Sequence, residues 1–522
     1  MCGILFLLDI FDKTDINGVS KAFDLIKYRG PDNTTLIEEK GINSYFGHHR
    51  LSIINPNDSE NNQPFDICSE NGNRYILLVN GEIYNYLDIF KKYNVDQSNN
   101  DCKAVLSSYL RTGDCDLSNM YQELDGDFAY IIYDELAQRV YYGRDHIGLK
   151  PLYIGRDSNN YITGICSEAK VLESFEFIKT IEAVKPSSGG FIDLFNKQDF
   201  KINYSLKYGS DDSDSETEST LVPEENIKTL LTKSVVKRIQ HTHRPLAILC
   251  SGGVDSSIIL GIAVKEFPDR KFHAFSIEFD GRGISYDTIH AKMVIDEYPN
   301  VEHTIVKFTE AQGIAAITEV IKLFESYDIN TLRAGIPMYL LAKYIKEHTD
   351  YKVILSGEGA DELFLGYEHF TKLIGRYTLI EAKTESIRLL NNLYSFDILR
   401  AERSFSTNGL ELRVPFLDSE FVQYVKLLDS KHLIPINGVE KHTLRKSFED
   451  LGLPDRVLYR QKERFSDGIG YGWVPILINY CKDKGGEKGY YKEIYNKFYS
   501  FDTLLIREMP DWCKVEETDM IN

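Results

Sequence analysis

Residues 246–260 read LAILCSGGVDSSIIL. An apolar run, a glycine-containing turn and a second apolar run spell strand, loop and helix. Ser251, Gly252, Gly253, Ser256 and Ser257 bring hydroxyls and backbone N–H groups around an anion at the helix N-terminus. The loop is not the G-x-x-x-x-G-K-S/T phosphate loop, because it lacks the lysine and carries Asp255 inside the turn. An acid beside phosphates makes sense when it holds Mg2+. Outward from this loop, strands and helices alternate. A helix over 225–240 precedes the strand RPLAILCS; a helix from about 255, the strand KFHAFSIEF, a helix, the strand VEHTIVKF, a helix and the strand YKVILS follow. That alternation predicts a doubly wound parallel sheet, whose ligands bind outside the carboxyl ends of the strands. From 370 onward the chain reads as mostly helical.

A second acidic loop follows the last of these strands, in YKVILSGEGADELFLGY (351–367). Asp361 offers the other carboxylate for a metal, and Ser356 and Gly357 let backbone approach a nucleotide. Taken alone, Asp361 and Glu362 would only be favourable charges in a first helical turn; paired with the first loop they gain a purpose.

The front of the chain has another grammar. YILLVNGEIYN, FAYIIYDELAQRVYYGRD and PLYIGRDSNNYITGICS are β-branched and aromatic runs broken by Gly, Asn and Asp. Helical stretches near 18–28 and 100–112 interrupt them, which predicts sheets covered by helices. Between the two halves, GSDDSDSETESTLVPEEN (209–226) packs five acids between Asp211 and Glu218 and has no aromatic residue. Such a run buries no apolar surface and reads as a solvated connector.

A length of 522 residues exceeds one core and predicts two domains. No run of 18 or more apolar residues predicts a spanning helix, and the start lacks a signal-peptide pattern; a cytoplasmic protein is expected. Eight cysteines without a C-x-x-C pair suit reduced thiols. A net charge of −19 argues against nucleic acid and anionic membrane as partners. It also requires a local basic pocket for any anionic substrate, and the stretches LELRVPFLD and RQKERFSD are expected to supply the cations. A second copy of the chain, in a homodimer, is the one macromolecular partner considered.

The chain opens MCGILFLLDI. Removal of Met1 would leave Cys2 with a free α-amine beside its own thiol, a nucleophile and a base in one residue. Alone, a second-position Cys is as readily a small buried hydrophobe. KYRGPDN (27–33), GHHRLSI (47–53) and VNGEIYN (79–85) supply what a thiol acting on an amide needs. Asn80 and Gly81 offer a side-chain amide and a backbone N–H to an oxyanion. Arg50 can clamp a carboxylate, and Asp101 in NNDCKAV can pair with an ammonium.

With Cys2, this order of residues resembles the class II glutamine amidotransferases over about 200 residues. The SGGVDSS loop resembles the ATP pyrophosphatases, which cleave ATP between its α and β phosphates. Together with SGEGADELF, LELRVPFLD (410–418), VEKHTLRKSFE (439–449) and RQKERFSDGIGY (460–471), the chain resembles the glutamine-hydrolysing asparagine synthetases from Cys2 to about residue 475. The resemblance implies an N-terminal α-β-β-α glutaminase layering of the Ntn-hydrolase type, then the parallel-sheet ATP pyrophosphatase fold and a helical C-terminal part. It implies a glutaminase domain over 2–205, a linker over 206–225, a synthetase domain over 226–512 and a tail over 513–522. A thioester would form on Cys2, with Asn80 and Gly81 as oxyanion hole. Arg50, Leu51, Ser52, Ile53, Ile54, Glu82 and Asp101 would hold glutamine. Ser251 to Ser257 would bind pyrophosphate, with Asp255 and Asp361 on Mg2+. Cys250, where leucine is more usual, would line the ATP site with Ile277, Ser356 and Gly357. Glu358 would assist attack of ammonia, Lys462 would stabilise departing pyrophosphate, and Arg333 in INTLRAGIP would position aspartate and ATP. Asn330 stands just before it where small hydroxyl residues are expected. Asparagine would be the product; relatives of the same plan amidate other carboxylates. An apolar passage for ammonia is expected between the domains.

Overall fold

The computed structural model describes residues 1–9, 14–69, 71–95, 100–112, 117–204, 222–281, 285–367, 370, 379–461, 468–470 and 472–501. Lys462, residues 205–221 of the acidic connector and the 513–522 tail lie outside the described residues.

The strand Gly3–Leu8, GILFLL, is apolar on both faces because it is buried on both. It sits inside an antiparallel six-stranded sheet in the order Thr180–Ala183, Tyr153–Arg156, Ile162–Cys166, Gly3–Leu8, Ser44–Arg50, Asn33–Glu39. Gly3 pairs with His49 and Leu5 with Cys166. A second six-stranded sheet runs Gln198–Asn203, Ser188–Asp193, Arg139–Arg144, Gly126–Asp134, Arg74–Ile83, Phe65–Cys68. The period-2 alternation of strands assigns the layers. Ile4 and Phe6 meet Ile76, Leu78 and Ile131 between the sheets. Leu5 and Leu7 turn outward onto Val19, Ala22 and Phe23 of the helix Ile16–Phe23. Tyr75, Leu77 and Val79 turn the other way, onto Ile89, Phe90, Val105 and Met120. The result is the expected α-β-β-α sandwich.

The second half holds a five-stranded parallel sheet in the order Val301–Phe308, Phe272–Phe279, Leu246–Leu249, Val353–Leu355, Glu411–Arg413. The chain builds outward from Leu246–Leu249 on one side and then returns to the other. The order therefore reverses between Leu246–Leu249 and Val353–Leu355, and the two quoted loops leave the sheet side by side at this switch point. The helices Pro223–Gln240, Val254–Glu266, Tyr286–Asp296, Glu310–Phe324 and Ile329–His348 cover it, and the chain from 379 onward is mostly helical. The fifth strand was not anticipated: Glu411 and Arg413 are charged, yet both are buried.

The halves are joined by apolar packing and by buried charge. Met1, Leu51, Ile53, Ile54, Ile147 and Leu149 of the first half belong to the core cluster of the second. Beside them, Arg29 donates to the Cys2 carbonyl at 2.9 Å and to Glu168 at 2.7 Å, and pairs with Glu402. Arg403 pairs with Glu168 and, at 2.7 Å, with Glu325. Lys170 reaches Glu168 at 2.9 Å. Three cations and three carboxylates thus share one desolvated cluster. Burial pushes the Glu168 pKa up, but Arg403, Lys170 and Arg29 outweigh it and hold the group well below the carboxylate range.

Arg29→Met removes one charge from this balance and strands a carboxylate, at a cost of about 3–5 kcal/mol. The denaturant midpoint of the purified variant should fall accordingly. Arg29→Met with Glu402→Leu restores neutrality and should recover part of the loss; equal instability of single and double variants would contradict the charge balance.

Candidate active sites

The strand Arg74–Ile83 carries Asn80, Gly81 and Glu82 to the sheet edge next to the chain start. The Cys2 nitrogen donates to Asn80 Oδ1 at 2.9 Å. The other end of that amide, Asn80 Nδ2, is buried and has no hydrogen-bond partner among the described residues. A stranded buried donor costs about 1–3 kcal/mol. Gly81 is required: at φ +156°, an added Cβ would lie 2.2 Å from the Asp127 carbonyl oxygen. Burial pushes the Cys2 thiol pKa up, and the terminal ammonium partly offsets this. Cys2 Sγ lies 3.9 Å from the Leu51 carbonyl oxygen. The Met1 amine, 3.8 Å from Glu411, is drawn down to about 6 by burial.

The guanidinium of Arg50 is held by backbone carbonyls and one side-chain amide. Its guanidinium donates to the carbonyls of Asp58 at 2.8 Å and Asn55 at 3.1 Å and to Asn62 Oδ1 at 2.9 Å, all neutral acceptors. The loop after it is fixed by Ser52 N–H donating to Asp32 at 2.8 Å; Ile53 and Ile54 pack into the interdomain cluster. Asp101 Oδ2 accepts from the Ile83 N–H at 2.8 Å, which places it beside Glu82. Sequence reasoning missed His241, whose Nε2 lies 3.0 Å from Glu82 and 3.4 Å from Asp101. Its partners stand 140 or more positions away, so no local pattern announced it.

In the second half, the loop after Leu246–Leu249 folds on itself. Ser251 N–H donates to Ser256 Oγ at 3.1 Å, and Ser257 Oγ donates to the Gly253 carbonyl at 2.8 Å, opening the helix Val254–Glu266. Gly357 brings the neighbouring loop against it: an added Cβ would sit 2.9 Å from Ser256 N. Cys250 N–H pairs with the Phe275 carbonyl at 2.9 Å, and its own carbonyl accepts from Ser276. Ile277 lies buried on the adjacent strand.

Asp255 and Asp361 converge on one cation, Lys441 Nζ, at 2.7 Å and 2.6 Å. Two carboxylates able to grip the same ammonium from two loops form a hard-oxygen pair of the kind Mg2+ takes, with phosphates completing the shell. The donor set fits the metal. Lys441 is fully buried, was quoted in VEKHTLRKSFE, and was given no role. Glu358 pairs with Arg400 at 3.2 Å. Arg333 is engaged by Glu487 at 2.5 Å on the helix Ile329–His348. Arg413 departs from expectation. Instead of serving an anionic substrate from LELRVPFLD, it pairs with Glu411 at 2.7 Å and Glu82 at 3.3 Å, on the glutaminase side. Its own carbonyl accepts from Ser356 N–H at 3.0 Å, so this short strand touches both sites.

The family model described as a glutamine amidotransferase domain matches residues 1–186, and that described as asparagine synthase matches 226–385 and 378–508. A probable asparagine synthetase (glutamine-hydrolyzing) of Acanthamoeba polyphaga mimivirus is 36% identical over 96% of this chain and 94% of its own length. The asparagine synthetases (glutamine-hydrolyzing) of Mus musculus and Homo sapiens are each 34% identical over 99% of this chain and 97% of theirs. With both family matches in the same order as the two sites, and relatives aligned nearly end to end, the chain belongs to the family of glutamine-hydrolysing asparagine synthetases.

Proposed function

We propose that this protein is a glutamine-dependent asparagine synthetase, a ligase that takes its nitrogen from glutamine and its driving force from ATP. The observation that carries the glutaminase half is the partnerless Asn80 Nδ2 on the residue that holds the Cys2 nitrogen. After loss of Met1, the Cys2 α-amine takes the thiol proton, and sulfur attacks the side-chain amide of glutamine. Asn80 Nδ2 and the Gly81 N–H receive the oxyanion; the amine returns the proton to departing ammonia, and water then frees glutamate from the Cys2 thioester. Arg50 holds the substrate carboxylate, Glu82 and Asp101 its ammonium, and Leu51 to Ile54 the chain between. Met1 itself occupies the apolar cluster shared by the halves, so its removal opens an apolar way from Cys2 toward the second site. Ammonia stays unprotonated in such surroundings.

In the second site, Ser251, Gly252, Gly253, Ser256 and Ser257 hold the β and γ phosphates of ATP, and Cys250, Ile277, Ser356 and Gly357 flank its nucleoside. Asp255 and Asp361 hold Mg2+, which when bound neutralises charge on the leaving pyrophosphate. The side-chain carboxylate of aspartate attacks the α-phosphate, giving β-aspartyl-AMP and pyrophosphate. Ammonia displaces AMP while Glu358 takes its surplus proton. Arg333 orients the reactants, and Lys462 takes part in pyrophosphate release. The division 2–205, 206–225, 226–512 and 513–522, a homodimeric state and a cytoplasmic setting complete the proposal. The last is supported by the free thiols of all six described cysteines and by the lack of a spanning helix among the described residues.

Cys2→Ala should abolish synthesis from glutamine and leave synthesis from added ammonia; equal loss of both would refute the division of labour. Asn80→Ala should lower glutaminase kcat about 10²–10³-fold, read as glutamate release at saturating glutamine. In a panel of carboxylic acids, pyrophosphate release should be fastest with aspartate, and a faster acid would reassign the acceptor.

A further inference from the structure

The helix Pro223–Gln240 ends at His241, whose backbone N–H caps Lys237 and whose carbonyl accepts from Arg413 at 2.7 Å. This turn belongs to the second half but lies on the glutamine pocket of the first. His243 Nδ1 accepts from the Asn55 N–H at 3.0 Å, and the His243 N–H donates to the Ile53 carbonyl at 3.2 Å. The His241 ring lies edge-on between Tyr84 and Tyr86, at 5.2 Å and 5.5 Å, and is only 8% exposed. Its Nε2 points at the two carboxylates, Glu82 and Asp101, that the proposed function gives to the ammonium of glutamine.

We propose that His241 is a positioning residue that stands in for the substrate ammonium: its imidazolium bridges Glu82 and Asp101 and must yield them when glutamine binds. This inference rests on glutamine as the nitrogen donor. Two buried carboxylates this close repel, and burial, with Glu411 and Asp101 beside it, pushes Glu82 up to about 7; a desolvated pair of like charges needs a counter-cation. Every charged group around the ring bears on the question. Arg413 is shared between Glu82 and Glu411, which leaves it half-committed. Its guanidinium, 3.3 Å from Glu82, also disfavours a metal ion in the same place. Tyr84 and Tyr86 are neutral, both pushed up by burial. Burial pulls the His241 pKa down, but hydrogen bonds to Asp101 and Glu82 carry it up to about 9. The ring is therefore charged at neutral pH, and a competing cation must expel its proton.

The sign follows from that linkage. Glutamine prefers the neutral ring, so its KM should fall as pH rises toward 9, by up to about tenfold per pH unit. Glutamate release by the full-length enzyme, measured from pH 6.5 to 8.5, should show this slope in KM while kcat does not share it. His241→Gln should lower KM at pH 7 about tenfold or more and flatten the profile, with kcat within about twofold. His241→Lys keeps a permanent cation, so its KM should stay high and flat. A role in packing alone predicts the reverse, a raised KM in His241→Gln; that outcome, or a flat wild-type profile, overturns the inference. If the glutamine variant does not fold, the wild-type profile and the lysine variant decide. No glutamate release at all from wild type would overturn the donor assignment and this inference with it.

Discussion

Charge that has been taken out of water must be matched, and the docking of the two halves obeys that constraint. Arg29, Lys170 and Glu168 come from the sandwich; Glu325, Glu402 and Arg403 come from the helices around the parallel sheet. Neither set is neutral alone: the sandwich brings two cations and one acid, the helices one cation and two acids. Only together do they balance. A net stability of about 5–15 kcal/mol is typical of a domain, and one stranded charge would remove a large part of it. The relative placement of the halves is therefore not negotiable.

That rigidity reaches the chemistry through two short links. Arg29 holds the carbonyl of Cys2 with the same guanidinium that binds Glu168 and Glu402, so the backbone of Cys2 is tied to a carboxylate of the other half. The strand Glu411–Arg413 is the second link. Its backbone receives Ser356 of the nucleotide loop, while its side chains reach Met1 and Glu82. In the proposed reaction, ammonia leaving Cys2 would have the second half's own strand as its immediate neighbour. A reactive neutral molecule that becomes useless once protonated would best be passed across apolar contacts, and Leu51, Ile53, Ile54, Ile147 and Leu149 form a buried apolar cluster with the second half.

What the sequence disclosed and what it hid divide by range. The strands of the first half were legible in YILLV and FAYIIYD because β-branched and aromatic runs broken by Gly, Asn and Asp leave no helical period, while their layering came from the resemblance. The strand, turn and helix around SGGVDSS were legible because their signals lie within a few positions of one another. Glu411–Arg413 was not, because a three-residue strand with two buried charges has neither length nor hydrophobic signature, and its charges find partners only in the folded chain. Arg413 was misassigned for that reason: composition says that a cation is present, not which carboxylate claims it. His241 and Lys441 were overlooked on the same ground, since each meets carboxylates that the fold brings from elements far apart in the chain.

These last two residues obey one rule in two places. Each of the proposed cation sites, for a substrate ammonium in one half and a metal in the other, would need two carboxylates held close together. Without a counter-charge such a pair would either take up a proton or spread apart. His241 lies within 3.0 Å and 3.4 Å of one pair, and Lys441 within 2.7 Å and 2.6 Å of the other. An internal cation offsets the repulsion within each pair at the cost of competing with the ligand. The two competitors differ in kind: the lysine can be outbid or displaced, whereas the imidazolium can also leave by losing its proton. Only the glutamine pocket therefore acquires a pH-dependent threshold, and it acquires it from a side chain that belongs to the half where the nitrogen is spent.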